Sequence, residues 1–218
     1  MNSINNITGT AGDDNLFGTV GNDRIEGLDG NDSIFGSEGV NTLLGGNGND
    51  EIFGGSQQDV IFGGNGNDTI RGAEGVNFLI GGSGDDLIEG GSQRDGISGG
   101  SGNDTLRGAE GNNRIFGGSG NDMIYSGSGD DFINSGSGYD TIYLGGGDDV
   151  IVLNTGDGFD TINNFQLGMT TFDVANLNDV SIVDGYNGAE IFSGGDRLAV
   201  VRFTQASTLN NNFDDVFV

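Results

Sequence analysis

From Gly9 to Val152 the chain places one aliphatic residue every nine positions, sixteen times without a slipped frame. A seventeenth copy, Thr155–Asn163, follows after the two extra residues Leu153 and Asn154. The unit is counted 1 to 9 as in Gly63-Gly64-Asn65-Gly66-Asn67-Asp68-Thr69-Ile70-Arg71. Position 8 is then Leu or Ile in all seventeen copies, whereas positions 7 and 9 are mixed and often polar. This apolar-in, polar-out alternation over three residues predicts a short strand with one buried face. The six glycine-rich residues before it read as a turn. A strict period of this kind predicts a solenoid whose units bury their apolar side chains against each other. If two units make one coil, residues 18 apart stack at about 4.8 Å.

One buried aliphatic per nine residues is a thin core. It does not offset the cost of ordering the other eight residues, ~1–2 kcal/mol each. The turns have to contribute. Glycine supplies 46 of the 218 residues, and proline, which would delete ladder donors, is absent. With no cysteine and no histidine, disulfides, thiolate metal sites and the commonest general base are all excluded. Seven arginines stand against 33 acids, for a net charge of −26, which disfavours nucleic acid and anionic membranes as partners. No stretch is long and apolar enough to span a membrane, and Met1–Thr8 has neither the basic end nor the apolar core of a signal peptide.

The acids keep phase with the repeat. Position 6 is aspartate in 14 of the 17 copies. Stacked at 4.8 Å, two such carboxylates repel by about 3 kcal/mol at an effective dielectric near 20, and a cation between them reverses the sign. Glycines in the turn let backbone carbonyls converge on the same place. An all-oxygen set of carboxylates and carbonyls, with no nitrogen or sulfur, points to Ca2+, which accepts six to eight oxygens in flexible geometry.

The unit resembles G-G-x-G-x-D-x-U-x, the calcium-binding nonapeptide of RTX or hemolysin-type repeat proteins. The resemblance covers about 155 residues. It implies an all-β fold, a parallel β-roll (a two-sheet, right-handed solenoid) with rows of calcium along both edges. Three segments follow: an N-terminal lead over 1–8, the roll over 9–163, and a C-terminal capping and secretion segment over 164–218. The resemblance also implies the metal-site residues, namely the glycine at position 4 and the aspartate at position 6.

Alternate turns fall on opposite edges. Edge one keeps the pattern throughout, with Gly12/Asp14, Gly30/Asp32, Gly48/Asp50, Gly66/Asp68, Gly84/Asp86, Gly102/Asp104, Gly120/Asp122 and Gly138/Asp140 as expected ligands and seven or eight expected sites. Edge two is degraded. Asn41, Asn77 and Asn113 replace aspartate, Gln57 and Gln93 replace glycine, and the two changes alternate with a 36-residue super-period. Only Gly129/Asp131 and Gly147/Asp149 restore the pattern there, and Asp160 of the last copy completes the expected set. We expect the degraded turns to lose calcium, with Asn and Gln amides hydrogen-bonding across the gap and Arg71 and Arg107 pairing with Glu74 and Glu110.

On the outer surface Leu44, Val60, Phe62, Phe78 and Ile80 occupy neighbouring strands of one face, as an interface would. They are expected either to form a homodimer contact or to be covered by the C-terminal segment. On the other face Phe17, Phe35 and Phe53 form a shorter column. The chain offers no comparable cover for its first coil, a second place for association.

After Asn163 the period stops. Strands are expected at Thr171–Val174, Val180–Val183, Ala189–Phe192, Arg197–Phe203 and Phe213–Val218, with turns at Asp184-Gly185 and Gly194-Gly195-Asp196, together capping the roll. Gly158–Phe165 resembles the segment closing many RTX arrays. Asp215-Val216-Phe217-Val218 resembles the uncleaved signal of type I secretion, which implies the type I machinery as partner and a secreted, extracellular location. The function expected is a calcium-binding module that folds outside the cell, without catalysis, since no nucleophile elbow or zinc motif is present. A surface adhesin or polysaccharide-binding protein, or the RTX part of a larger secreted enzyme, is the alternative.

Overall fold

Residues 18 apart lie side by side. In the computed structural model, which describes residues 4–156 and 158–218, Ile34 pairs with Ile52 and Ile52 with Ile70. Half a coil away, Leu43 pairs with Ile61 and Ile61 with Leu79. Met1–Ser3 of the N-terminal lead, and Asp157, lie outside the described residues. Through the repeats consecutive strands alternate between two sheets, with parallel pairing inside each; the sheets have ten and twelve strands among the described residues. This is the two-sheet parallel β-solenoid with 18-residue coils that the period predicts.

The core is one side chain deep on each sheet. Position 8 is fully buried in every copy from Ile25 to Ile162, and Leu16, in the outermost strand of its sheet, is partly covered. Asn5–Thr8 adds to the ten-stranded sheet by pairing with Asp23–Asp29.

Beyond the repeats both sheets continue. Thr170–Val174 pairs in parallel with Asp149–Leu153. Asp196–Arg202 pairs in parallel with Asp160–Asn163 and turns the sheet into an antiparallel meander with Gly188–Ser193 and Val180–Asp184. Four of the five strands expected here therefore form. The fifth does not: Phe213–Val216 is a helical turn, preceded by a helix at Ala206–Asn211. Ala206, Leu209, Phe213 and Val216, spaced three, four and three, present one apolar stripe to the end of the core. Phe217 then packs on Phe172, at 5.6 Å between ring centroids. No helix among the described residues is long and apolar enough to cross a membrane.

The outer column of the twelve-stranded sheet corrects one expectation. Phe17, Phe35 and Phe53 stack at 5.1 and 5.0 Å, and the Arg71 guanidinium lies 5.1 Å from the Phe53 ring. Arg71 and Arg107 both pair with Glu89, at 3.0 and 2.7 Å, and Arg71 also reaches Glu51 at 3.5 Å. They do not pair with Glu74 and Glu110. Position 9 points off the sheet face, so its neighbours are the side chains one coil away, while Glu74 and Glu110 belong to edge-two turns.

Candidate metal centre

The position-6 side chain does two separate jobs. Its Oδ1 accepts the backbone N–H of the position-6 residue one coil earlier. On edge one Asp14 N–H donates to Asp32 at 2.9 Å, and Asp32, Asp50, Asp68, Asp86, Asp104 and Asp122 each donate to the next aspartate at 2.8 Å. The expected column through Asp140 is continuous. Edge two makes the same ladder through its asparagines: Asp59 N–H to Asn77 Oδ1 at 2.9 Å, Asn77 N–H to Asp95 at 2.7 Å, and so on to Asp131 and Asp149.

The second carboxylate oxygen is different. Oδ2 is buried without a hydrogen-bond partner in Asp32, Asp50, Asp68, Asp86, Asp104, Asp122 and Asp140 on edge one, and in Asp59, Asp95 and Asp131 on edge two. A buried, unpartnered anionic oxygen is costly unless something cationic or protic meets it. The glycine at position 1 makes room for this arrangement. A Cβ on Gly45 would collide with Asp50 Oδ2. At position 4, a Cβ on Gly48 would strike the carbonyl of Gly30 one coil back, so the backbones of adjacent turns close in on one another.

Burial drives the electrostatics. It pushes Asp68, Asp86, Asp122 and Asp131 up to about 7 and Asp59, Asp95 and Asp149 up to about 6. Neighbouring carboxylates add to the effect at Asp68, Asp86, Asp122, Asp131 and Asp149. Asp32, Asp50, Asp104 and Asp140 are raised for the same first reason. Asp160 goes furthest, to about 8, through burial and the Asp140 charge; the two extra residues shift it out of the ladder, and Ser135 donates to its Oδ2 at 2.8 Å.

The asparagine turns show what satisfies the vacant role. There the amide nitrogen takes the place of Oδ2 and donates to the position-4 carbonyl of its own turn: Asn41 to Gly39 and Asn77 to Gly75 at 3.3 Å, and Asn113 to Gly111 at 2.9 Å. The Nδ2 bond stays within the turn, while the amide Oδ1 of Asn41, Asn77 and Asn113 crosses the gap between coils as expected; the Gln57 and Gln93 side chains, also expected to cross it, make no hydrogen bond among those of the described residues. Threonine does a related job where each column begins. Thr10 donates its N–H and Oγ1 to Asp14 Oδ2 at 2.6 and 2.9 Å, and Thr19 does the same for Asp23 at 2.6 and 3.2 Å. The sequence held this signal, since Thr10 and Thr19 stand where most copies have glycine.

The backbone of edge two is rewired as well. The position-4 N–H donates to the position-3 carbonyl of the next coil at Gly30, Gly48, Gly66, Gly84, Gly102, Gly120 and Gly129, but among the described residues not at Gly39, Gln57, Gly75, Gln93 or Gly111. Side chains in left-handed conformation alternate there between position 2 (Ser37, Ala73, Ala109) and position 4 (Gln57, Gln93), so no two stack on adjacent coils. The 36-residue super-period therefore has a steric cause.

Among the described residues no three carboxylates gather around one point. A cation here would be held by position-6 carboxylates together with backbone carbonyls, a hard oxygen set that fits Ca2+. The family model for the RTX calcium-binding nonapeptide repeat, in four copies, matches the chain over residues 8–43, 35–70, 44–79, 62–97, 71–106, 98–133 and 125–162. No curated protein matches the chain.

Proposed function

The chain belongs to the RTX calcium-binding nonapeptide repeat family, whose cofactor is Ca2+, and on that premise we propose that it is a secreted structural module whose roll is set by calcium. The observation that carries this reading is the row of buried, unpartnered Oδ2 atoms along edge one. We assign the ions to position 6 with position 4 of Gly30/Asp32 through Gly138/Asp140, and to Gly129/Asp131 and Gly147/Asp149 where edge two regains the pattern. Gly12/Asp14 and Asp160 stand at the ends of the array, with their Oδ2 atoms already held by Thr10 and Ser135. A bound Ca2+ supplies the positive charge that lets the stacked carboxylates ionise without repelling one another.

At low calcium the acid columns oppose closure, and the chain passes through an export channel unfolded. Extracellular calcium modules hold their ion at about 10⁻⁴–10⁻³ M, so the difference between compartments is enough to switch the fold. The segment that resembles a type I signal supports the same order of events. Val216 and Phe217 are buried against the cap, so transport machinery would find them accessible before folding, not after. No catalytic role is assigned; the acids that a hydrolase would need are committed to turns.

Far-UV circular dichroism during a calcium titration tests this reading. We expect a disordered spectrum in chelator and a cooperative rise of β signal at about 10⁻⁴–10⁻³ M free calcium. The same β spectrum in chelator at pH 8 would overturn it.

A further inference from the structure

The outer face of the ten-stranded sheet carries side chains in columns, and one rung of one column is missing. That column runs Val60, Phe78, Gly96, Arg114 and Phe132, each paired with the next. Phe78 and Arg114 therefore stand two coils apart, roughly 9.6 Å, with only Gly96 between them. On the same strand the second outward residue is Ser98, set between Ile80 and Phe116. The result is a trough one coil wide, of about 320 Å3, walled by Val76 and Phe78 on one side and by Arg114 and Phe116 on the other. Arg94 stands at its edge-two end. The C-terminal segment does not cover this face, because Phe62, Phe78 and Phe116 remain 36%, 49% and 38% exposed.

Elsewhere in the roll, flat groups in one column stack at the spacing of a coil. Phe17, Phe35 and Phe53 do so at 5.1 and 5.0 Å, and the Arg71 guanidinium continues that stack at 5.1 Å. Arg114 lies 5.0 Å from the Phe132 ring, and its other side borders the trough. The space there is open on the arginine side. A Cβ on Gly96 would come 3.1 Å from Phe78 Cδ2, whereas no atom of Arg114 comes closer to it than 4.0 Å. Charge marks the place as well. Four of the seven arginines reach a carboxylate within 3.5 Å. Arg94, Arg114 and Arg202 reach none among the described residues, and two of these three line the trough. Its one acid, Asp95, is buried, and its Oδ1 is occupied by the Asn77 N–H of the edge-two ladder.

We propose that the trough binds a planar aromatic carboxylate, whose ring takes the vacant rung between Phe78 and Arg114 while its carboxylate pairs with Arg94 and Arg114. A ring midway along the gap lies ~4.8 Å from each neighbour, within the range of stacked pairs. A guanidinium serves both needs, since it stacks on rings and forks to carboxylates. The surroundings disfavour the other anionic ligands. Gln58 and Ser98 are the neutral polar side chains beside the trough, too few for the hydroxyls of an acidic sugar. The strand on its floor, Gly96–Ser101, is already paired on both sides, so it has no free edge for an acidic peptide. The volume is at the small end of ligand pockets, ~300–1,000 Å3, and suits one or two fused rings.

Titration with naphthoate in calcium, followed by backbone amide shifts in NMR spectra, tests the inference, with circular dichroism as a separate check that each variant is folded. It assumes a folded roll but not that calcium does the folding, so failure of the calcium reading would appear in the dichroism and not in the titration. Wild type is expected to bind with Kd of about 1 mM or tighter, with the largest shifts at Phe78, Gly96 and Arg114. Naphthamide, which keeps the rings without the charge, should bind at least ~10-fold more weakly, and so should cyclohexanecarboxylate, which keeps the charge without the flat ring. Gly96 does not have a left-handed φ, so Gly96→Val keeps the strand, fills the rung and should abolish the shifts. Arg94→Gln and Arg114→Gln should each weaken binding by at least ~10-fold. Absence of saturable shifts overturns the proposal, and so do shifts centred away from the trough or unchanged in Gly96→Val. Equal binding of naphthamide, of cyclohexanecarboxylate or of inorganic sulfate overturns it as well.

Discussion

The Asn113 side chain donates to the carbonyl of Gly111, two residues back in its own turn, at 2.9 Å. The same place in an aspartate turn holds an oxygen with no partner. One amide thus supplies internally, with a hydrogen bond, what the proposed cation would supply to an aspartate turn. The exchange should work in both directions. Asp86→Asn should lower the calcium stoichiometry measured by isothermal titration and make the calcium-free roll easier to order. Asn77→Asp joins Asp59 and Asp95 into three consecutive carboxylates, so at least one further ion should bind. Without metal it should cost about 1–3 kcal/mol, the penalty of a buried unsatisfied group. Equal stoichiometry in all three proteins would show that position 6 does not set ion number.

Acid and calcium should act on the same oxygens. Asp68, Asp86, Asp122 and Asp131 are raised to about 7 and Asp160 to about 8, first of all by burial. A carboxyl raised on folding favours the fold while it is protonated. That contribution is complete below the ordinary value of 3.8 and is lost as pH rises through 7 to 8. In chelator the chain should therefore be more ordered at pH 5 than at pH 8, while in calcium the apparent affinity should weaken as pH falls below 7. Spectra in chelator that do not change across this range would contradict the burial of these groups.

Glu89 should behave in the opposite sense. Burial pushes its pKa up, but hydrogen bonds and charge from Arg107 and Arg71 outweigh this and leave it lowered. Its contribution is present above its unfolded value and fades in acid as pH falls through the lowered one. All three partners are about a third or more exposed, so Glu89→Gln should cost no more than ~1 kcal/mol in thermal melts in calcium, and less in high salt. A loss several times larger would mean that the column, and not the turns, holds this face together.

Two substitutions of opposite sense probe the turn backbone. Gly48 has φ of +125° and no room for a Cβ, so Gly48→Ala should destabilise by at least ~1–3 kcal/mol in calcium melts. Gln57 holds φ of +77° at the equivalent place on edge two, and Gln57→Gly should be neutral or stabilise by up to ~1 kcal/mol. A destabilising Gln57→Gly would show that the glutamine side chain has a role that its lack of hydrogen bonds hides.

What could be read from the sequence follows from what repetition encodes. Ile34, Ile52 and Ile70 recur at one spacing, and that alone sets the coil, the register and the core. The aspartate columns follow from the same arithmetic. Sequence proximity points Arg71 to Glu74, whereas in a solenoid the neighbour that matters is 18 positions away, at Glu89. The two oxygens of one aspartate cannot be told apart in a sequence, so the division of labour between Oδ1 and Oδ2 became visible only with the turns folded. In the cap no period helps. Ala206, Leu209, Phe213 and Val216 do carry helical spacing, but six- and four-residue helices give that pattern little length in which to stand out from a strand.

The threonines at the first turns have a further consequence. Asp14 and Asp23 are satisfied by Thr10 and Thr19, and each later Oδ1 as far as Asp140 and Asp149 reaches back one coil, so the array works like a zip fastener with a fixed first tooth. Each coil is held by its neighbours alone, so order spreads from neighbour to neighbour. Damage to one middle tooth would leave two shorter fastened lengths, the first anchored by its threonines and the last by the cap, each still able to hold its own ions.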